Sequence, residues 1–123
     1  NDVLEQFGAM YPGAKDVEWE RDGYYWKVSF ETASDRTDHE AWFDRNGSWL
    51  RTETDLLLSS VPQEIKDFLS DSAYKDAMFE DNDAEFVETP TGNYYRFELL
   101  FGGIEINVKV SEDGSVGIEG IER

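Results

Sequence analysis

The stretch GYYWKVSFETASDRTDHEAWFDRNGSWLRTET, Gly23 to Thr54, sets large aromatic residues between charged ones. Its alternation of apolar and polar residues predicts three β-strands, and Asn46-Gly47 readily supplies the positive φ angles of a tight hairpin between the last two. Alternation along a strand places Trp26 on an inner face and Tyr25 on the outer one. Some of these rings therefore point away from any core, and a binding function would have to be sought there.

The same parity indicates a candidate binding surface. With a three-residue hairpin loop at 45–47, Trp49 pairs with Phe43 and Leu50 lies opposite Trp42. The outward, exposed positions are then expected to be Tyr25, Trp42, Leu50 and, in the second half of the chain, Tyr94. Exposed aromatic rings beside charges are typical of protein-binding hot spots. Cross-strand aromatic pairs also stabilise sheets without binding anything, so both interpretations stay open.

Helices and strands of the same order occur twice along the chain. A short amphipathic helix with Leu4 and Phe7 on its apolar face begins the chain, and a second helix is expected at about 62–72. Each helix precedes four predicted strands, and the second set ends in a hairpin at Asp113-Gly114. We therefore expect an α+β fold built by internal duplication. Its two repeats, 1–58 and 59–123, would share one core in a single domain, 1–123.

Composition excludes several classes of function. The chain has 123 residues, no cysteine and a net charge of −17. Nucleic-acid phosphates and anionic lipid headgroups would be repelled by that charge, so no nucleic-acid partner is expected. Without cysteine there is no thiol catalysis, disulfide framework or cysteine zinc site. No apolar run has the length that crosses a bilayer, so membrane insertion is not expected. The sequence opens on a helix start, so any targeting segment is expected to have been removed or omitted.

The motifs offer no catalytic chemistry. His39 is the single histidine, and no nucleophile motif accompanies it. No Gly-rich phosphate loop follows a strand, and no Cys or His cluster could hold a transition metal. We therefore expect no enzyme activity, no cofactor and no metal site. The segment 76–85 gathers five carboxylates, which indicates a solvated acidic loop, with a weak calcium site as the alternative.

Several motifs together resemble a known family. They are FGAMYPGAKDVEWERDGYYWKVSF, EAWFDRNGSWLRTETDL, VPQEIKDFL, TPTGNYYRFEL and VKVSEDG. In this order they are similar to the PepSY-like, beta-lactamase-inhibitor-like proteins, small secreted bacterial proteins of unknown function. The resemblance implies a tandem α+β repeat whose strands form one antiparallel sheet with the helices on one face, as in the beta-lactamase inhibitor proteins. It also implies a cleaved signal peptide and a periplasmic or extracellular location.

These observations together predict a non-enzymatic, inhibitor-like binding module. Its outer sheet face, with Tyr25, Trp42, Leu50 and Tyr94, would bind a protein or peptide. Two alternatives remain: an acidic nucleic-acid mimic that binds a basic partner through distributed carboxylates, and a weak calcium-binding protein of the cell envelope.

Overall fold

The computed structural model of the chain describes residues 2–32 and 37–122. Its helices are α1 (Asp2–Met10) and α2 (Gln63–Ser70), and a short 3-10 turn, Leu58–Ser60, precedes α2. The strands are β1 (Ala14–Asp22), β2 (Tyr25–Thr32), β3 (Asp38–Phe43), β4 (Trp49–Leu57), β5 (Met78–Phe79), β6 (Asp83–Thr89), β7 (Gly92–Phe101), β8 (Ile104–Ser111) and β9 (Val116–Glu122). Neither helix has the length and apolar content that a membrane-spanning helix requires.

The strands form a nine-stranded sheet in the hydrogen-bonded order β1-β2-β3-β4-β6-β7-β8-β9, with β5 paired to β7. The predicted α+β class, with an antiparallel sheet and two helices, is confirmed. One strand was not predicted: β5 lies inside segment 76–85, where an acidic loop was expected. The order of helix and four strands does occur twice around this insertion, but a tandem duplication stays a prediction.

The described chain divides into two compact units, 1–54 with 88–91, and 55–87 with 92–123. In the first unit, α1 packs against β2 and β3. Val3 and Phe7 of α1 are buried in a cluster with Val28, Phe30, Ala41 and Phe43. Leu4, which we expected on the apolar face of the helix, is 54% exposed. The face of the sheet that carries Val28 and Phe43 is therefore the core face of this unit.

The β3–β4 hairpin closes against the start of α1. The Asp44 amide donates to the Ser48 carbonyl at 2.9 Å, which encloses the expected loop at 45–47. Gly47 has a φ of 90° in this loop. A Cβ at this position would lie 2.9 Å from backbone atoms of Asp2. Glycine is thus required here both for its conformation and for the close approach of the helix.

The second unit packs α2 against β7 and β8. Ile65 and Leu69 of α2 are buried in a cluster with Val61, Ala84, Tyr95, Phe97, Leu99, Ile106, Val108 and Val110. The β8–β9 hairpin also has a three-residue loop, because the Ser111 amide donates to the Ser115 carbonyl at 2.8 Å. Gly114 has a φ of 97°, and a Cβ there would lie 3.3 Å from the ring of Phe68. Each unit thus places a hairpin glycine against its own helix.

Candidate functional site

Strand pairing in the first unit defines a sheet face opposite to its core. Lys27 of β2 lies opposite Glu20 of β1 and Trp42 of β3, and Trp42 lies opposite Arg51 of β4. Residues directly opposite in an antiparallel sheet share a face. The adjacent pair Val28 and Ala41 belongs to the core, so Lys27 and Trp42 point to the other side. We call the face that carries Glu20, Tyr25, Lys27, Trp42 and Arg51 the outer face.

Trp42 is enclosed rather than exposed, so the expectation of an exposed indole is wrong. Its side chain points away from the core as parity predicted, yet the residue is only 7% exposed. The Arg51 guanidinium carbon lies 3.8 Å from the centroid of the ring. The indole Nε1–H donates to Asp22 Oδ2 at 3.1 Å. A long cationic side chain from the neighbouring strand therefore covers the ring, while a carboxylate binds its polar edge.

Leu50 does not lie opposite Trp42, which corrects the second expectation for this hairpin. Trp49 pairs with Phe43 as expected, but the next pair is Trp42 with Arg51. The register shifts between these two pairs, so Leu50 is the extra residue of a β-bulge. Leu50 is half-buried. The bulge gives Arg51 the outward position that simple alternation assigned to Leu50.

Tyr25 is an exposed ring on the outer face. It is the first residue of β2, lies opposite Asp22 and is 46% exposed. Two residues further along β2, Lys27 faces Trp42 directly. Tyr25 is therefore the diagonal neighbour of Trp42, at a separation of roughly 7–8 Å between backbone positions. An exposed phenol thus stands beside the enclosed indole and the guanidinium that covers it.

Ion pairs fix the cations of the outer face. Lys27 Nζ lies 3.4 Å from carboxylate oxygens of both Glu40 and Glu20. The charge of Glu40 is the main cause of the raised pKa of Lys27, with a further contribution from Glu20. Arg51 Nε donates to Glu53 Oε2 at 2.9 Å. The guanidinium is thus held both by a carboxylate beside it and by the ring beneath it, which limits its rotamers.

Tyr94 lies in the second unit. It is half-buried on β7, opposite Ser111, and Lys109 Nζ lies 4.3 Å from the centroid of its ring. Burial raises the pKa of Tyr94, and the carboxylate of Glu119 raises it further. A basic side chain on an outward ring thus occurs in each unit. The sequence predicted both outward rings, Trp42 and Tyr94, but not the cations that lie on them. Arg51 and Lys109 could have been found as basic residues in the strands next to these rings.

His39 contacts a threonine and a core phenylalanine. Its Nδ1 lies 2.8 Å from Thr54 Oγ1, and its ring stacks on Phe30 with 5.2 Å between the centroids. Within the described ranges, no three His, Asp or Glu side chains are placed to hold a metal ion. The calcium alternative therefore gains no geometric support.

An apolar groove of about 170 Å³ lies beside α1 in the first unit. It is lined by Val3, Leu4, Trp19 and Trp26. The two indoles meet edge to face, with their centroids 6.3 Å apart. Among the residues that the structure describes, its lining is therefore formed by two aliphatic and two indole side chains.

Comparisons with known proteins agree with this fold. No curated protein matches the chain. Among solved structures, a BLIP-like protein from Bacteroides fragilis NCTC 9343 has a TM-score of 0.81 and 24% identity, over 98% of this chain and 83% of that chain. A DUF2874 family protein from Bacteroides ovatus ATCC 8483 has a TM-score of 0.79 and 22% identity, over 96% and 86%. A protein from Bacteroides eggerthii DSM 20697 described as one of the "putative periplasmic proteins" has a TM-score of 0.78 and 19% identity, over 98% and 87%.

One protein-family model matches most of the chain. The model of a family described as "Putative beta-lactamase-inhibitor-like, PepSY-like" matches residues 24–116. This range begins just before β2 and ends at the first residue of β9. It therefore includes both the outer face strands β2 to β4 and the whole of α2. The chain belongs to the PepSY-like, beta-lactamase-inhibitor-like family.

Proposed function

We propose that this chain is a non-enzymatic binding module that acts in the periplasm or outside the cell, and that its outer face binds a protein or peptide. The inhibitor-like description of its family supports a protein partner. The periplasmic description of a structural neighbour supports the location. The described lining of the groove beside α1 is apolar, which favours binding over catalysis.

The observation that carries the proposal is the ordered group of Tyr25, Trp42 and Arg51. Tyrosine, tryptophan and arginine are the residues most enriched in binding hot spots. Arg51 is already held against Trp42 and Glu53, so a partner that binds its outward edge loses little side-chain entropy. Tyr25, near Arg51, adds an exposed ring with its hydroxyl group. A carboxylate or a backbone carbonyl of a partner suits this combination.

The predicted contact residues take different parts in this proposal. Tyr25 contacts the partner directly, together with Arg51. Trp42 supports Arg51 from below and contributes little surface of its own. Leu50, beside the bulge, and Tyr94, in the second unit beneath Lys109, are proposed as additional contacts.

We also propose that the fold arose by tandem duplication of residues 1–58 and 59–123. Each half has a helix followed by four strands, apart from the inserted β5 in the second half, and in each half the last hairpin has a three-residue loop with a glycine of positive φ. The buried pair Val28 and Phe30 of β2 has its counterpart in Phe97 and Leu99 of β7. If so, the outward ring beneath a basic residue is an inherited feature of both repeats.

Affinity capture tests the binding proposal. The immobilised chain is exposed to a cell-envelope extract of the source organism, and retained proteins are identified by mass spectrometry. We expect the Tyr25→Ala and Arg51→Ala variants to lose a protein that the parent chain retains. Arg45→Ala is the matched control, because it removes an exposed arginine of the hairpin loop from the same unit. Equal retention of that protein by all four chains would contradict the proposal.

A further inference from the structure

A pair of exposed apolar side chains lies on the second unit, where β5 joins β7. Met78 and Leu100 are directly opposite each other and are 69% and 37% exposed. Leu100 in turn lies opposite Glu105 of β8. Leu99, the residue before Leu100 in β7, points to the opposite side and is 1% exposed in the core of the unit. Met78, Leu100 and Glu105 therefore share the sheet face that points away from that core.

Carboxylates border this apolar pair on the same face. The Glu80 amide donates to the Glu98 carbonyl at 3.1 Å, which continues the β5–β7 pairing beyond Phe79. Glu80 and Glu98 stand two residues from Met78 and Leu100, so alternation places them on the same side. The Glu80 carboxyl is hydrogen-bonded to Glu105. We call Met78, Glu80, Glu98, Leu100 and Glu105 the acid-rimmed patch.

The neighbouring cation on this face is already engaged. Arg96, the next outward residue of β7, binds Glu85 at 2.8 Å and Glu119 at 2.5 Å. Both of these carboxylates lie outside the patch. The patch itself carries three carboxyl groups, in a chain whose net charge is −17. Such a field attracts cationic partners and repels anionic ones.

We propose that the acid-rimmed patch binds a protein segment that presents a lysine or arginine beside an apolar residue. The aliphatic stem of such a side chain packs on Met78 and Leu100, while its charged end reaches Glu80 and Glu105. The apolar neighbour in the partner covers the rest of the exposed methionine. This surface shares no residue with the outer face of the first unit, so either proposal can fail without the other.

Without a partner, the carboxyl groups of Glu80 and Glu105 are hydrogen-bonded to each other. That bond raises the pKa of Glu80 to about 7, with further contributions from desolvation and from the charges of Glu105, Glu98 and Asp81. Two carboxyl groups can be hydrogen-bonded to each other when one of them carries a proton. A partner's cation replaces that proton, so binding and deprotonation are coupled.

Peptide titration tests the apolar and the charged parts separately. The probe is a short synthetic peptide of alternating leucine and lysine. Its binding is measured by isothermal titration calorimetry at moderate salt. We expect Met78→Ser with Leu100→Ser to weaken binding of this peptide about tenfold or more. Leu57→Ser with Ile118→Ser is the matched control, since it removes two other exposed apolar side chains. An alternating serine and lysine peptide of equal charge is expected to bind as weakly as the leucine peptide binds the patch variant. Equal binding of both peptides, or equal loss in both double variants, would overturn the proposal.

The pH dependence provides the second readout. Because a group with a pKa of about 7 is roughly nine-tenths protonated at pH 6, we expect affinity for the leucine and lysine peptide to rise about tenfold from pH 6 to pH 8. The Glu80→Gln variant should show a flat profile, which also controls for His39, the single histidine. The same rise in Glu80→Gln as in the parent would contradict the role of the patch carboxylates.

Discussion

The guanidinium carbon of Arg51 lies 3.8 Å from the centroid of the Trp42 ring, and Trp42 is only 7% exposed. The same indole donates to Asp22 from β1. Arg51 of β4 thus covers the face of the Trp42 ring, and Asp22 of β1 binds its N–H edge. Removal of Arg51 and removal of Trp42 should therefore affect the protein in different ways.

Replacement of Trp42 by alanine should destabilise the fold. A buried tryptophan contributes packing that costs about 3–5 kcal/mol of unfolding free energy when it is truncated. Tyr25→Ala, at a 46% exposed position, should cost less than about 1 kcal/mol. Urea denaturation followed by circular dichroism measures both. Equal losses in the two variants would show that Trp42 is not enclosed.

Replacement of Arg51 by alanine should uncover the indole without unfolding the chain. The loss of the cation–π contact with this enclosed ring is expected to cost about 1–2 kcal/mol, together with the ion pair to Glu53. Trp42 would then meet water, so the tryptophan emission should shift to longer wavelength. Because four tryptophans emit, the emission of Trp42 is isolated by two difference spectra: parent minus Trp42→Phe, and Arg51→Ala minus Arg51→Ala with Trp42→Phe. If the two difference spectra have the same emission maximum, Arg51 does not shield the ring from water.

The two hairpin glycines should differ in their tolerance of alanine. At Gly47 a Cβ meets the backbone of Asp2 at 2.9 Å as well as an unfavourable φ, so Gly47→Ala should cost about 2 kcal/mol or more. At Gly114 the neighbour is the ring of Phe68 at 3.3 Å, which can shift, so the cost should be nearer the conformational term of about 1–2 kcal/mol. Gly8→Ala in α1 meets no atom within 4 Å and should stabilise the helix by about 0.5–1 kcal/mol. Thermal unfolding of the three variants gives the order, and a larger loss at Gly114 than at Gly47 would contradict it.

The stability of the chain should respond to the titration of Glu80. The pKa of this carboxyl is raised in the folded protein to about 7 from 4.5, mainly by the hydrogen bond with Glu105. Between these two values the folded chain binds more protons than the unfolded chain, so this contribution to stability falls as the pH rises. It is complete below about pH 4.5 and lost above about pH 7. Urea midpoints of the parent and of Glu80→Gln should therefore differ in their slope over this range, and parallel profiles would contradict the shift.

Much of the sheet could be predicted from period-two alternation and turn residues. The hairpins at Asn46-Gly47 and Asp113-Gly114 have the expected loops, and the Trp49–Phe43 pair has the expected register. The bulge at Leu50 could not be predicted, because an inserted residue leaves the composition of a strand unchanged. It reassigned the outward position opposite Trp42 from a leucine to Arg51, and this changes the chemistry of the surface.

Burial on the outer face was harder to predict than direction. Alternation correctly gave the side of the sheet to which Trp42 points, but a cross-strand arginine can cover an outward ring with its long side chain. Strand β5 was missed for another reason: a two-residue strand, Met78–Phe79, is too short to show a period. The acid-rimmed patch depends on that strand and so could not be located from the sequence.

Photo-cross-linking at position 25 shows directly whether the outer face binds a protein partner. A benzoylphenylalanine placed at Tyr25, which is 46% exposed, is compared with one at Ile118, which is 48% exposed, after irradiation in an envelope extract of the source organism. We expect a specific protein adduct from position 25 alone, which excess unlabelled parent chain abolishes and excess Arg51→Ala chain does not. No adduct at position 25, the same adducts from both positions, or equal competition by the two chains would contradict it.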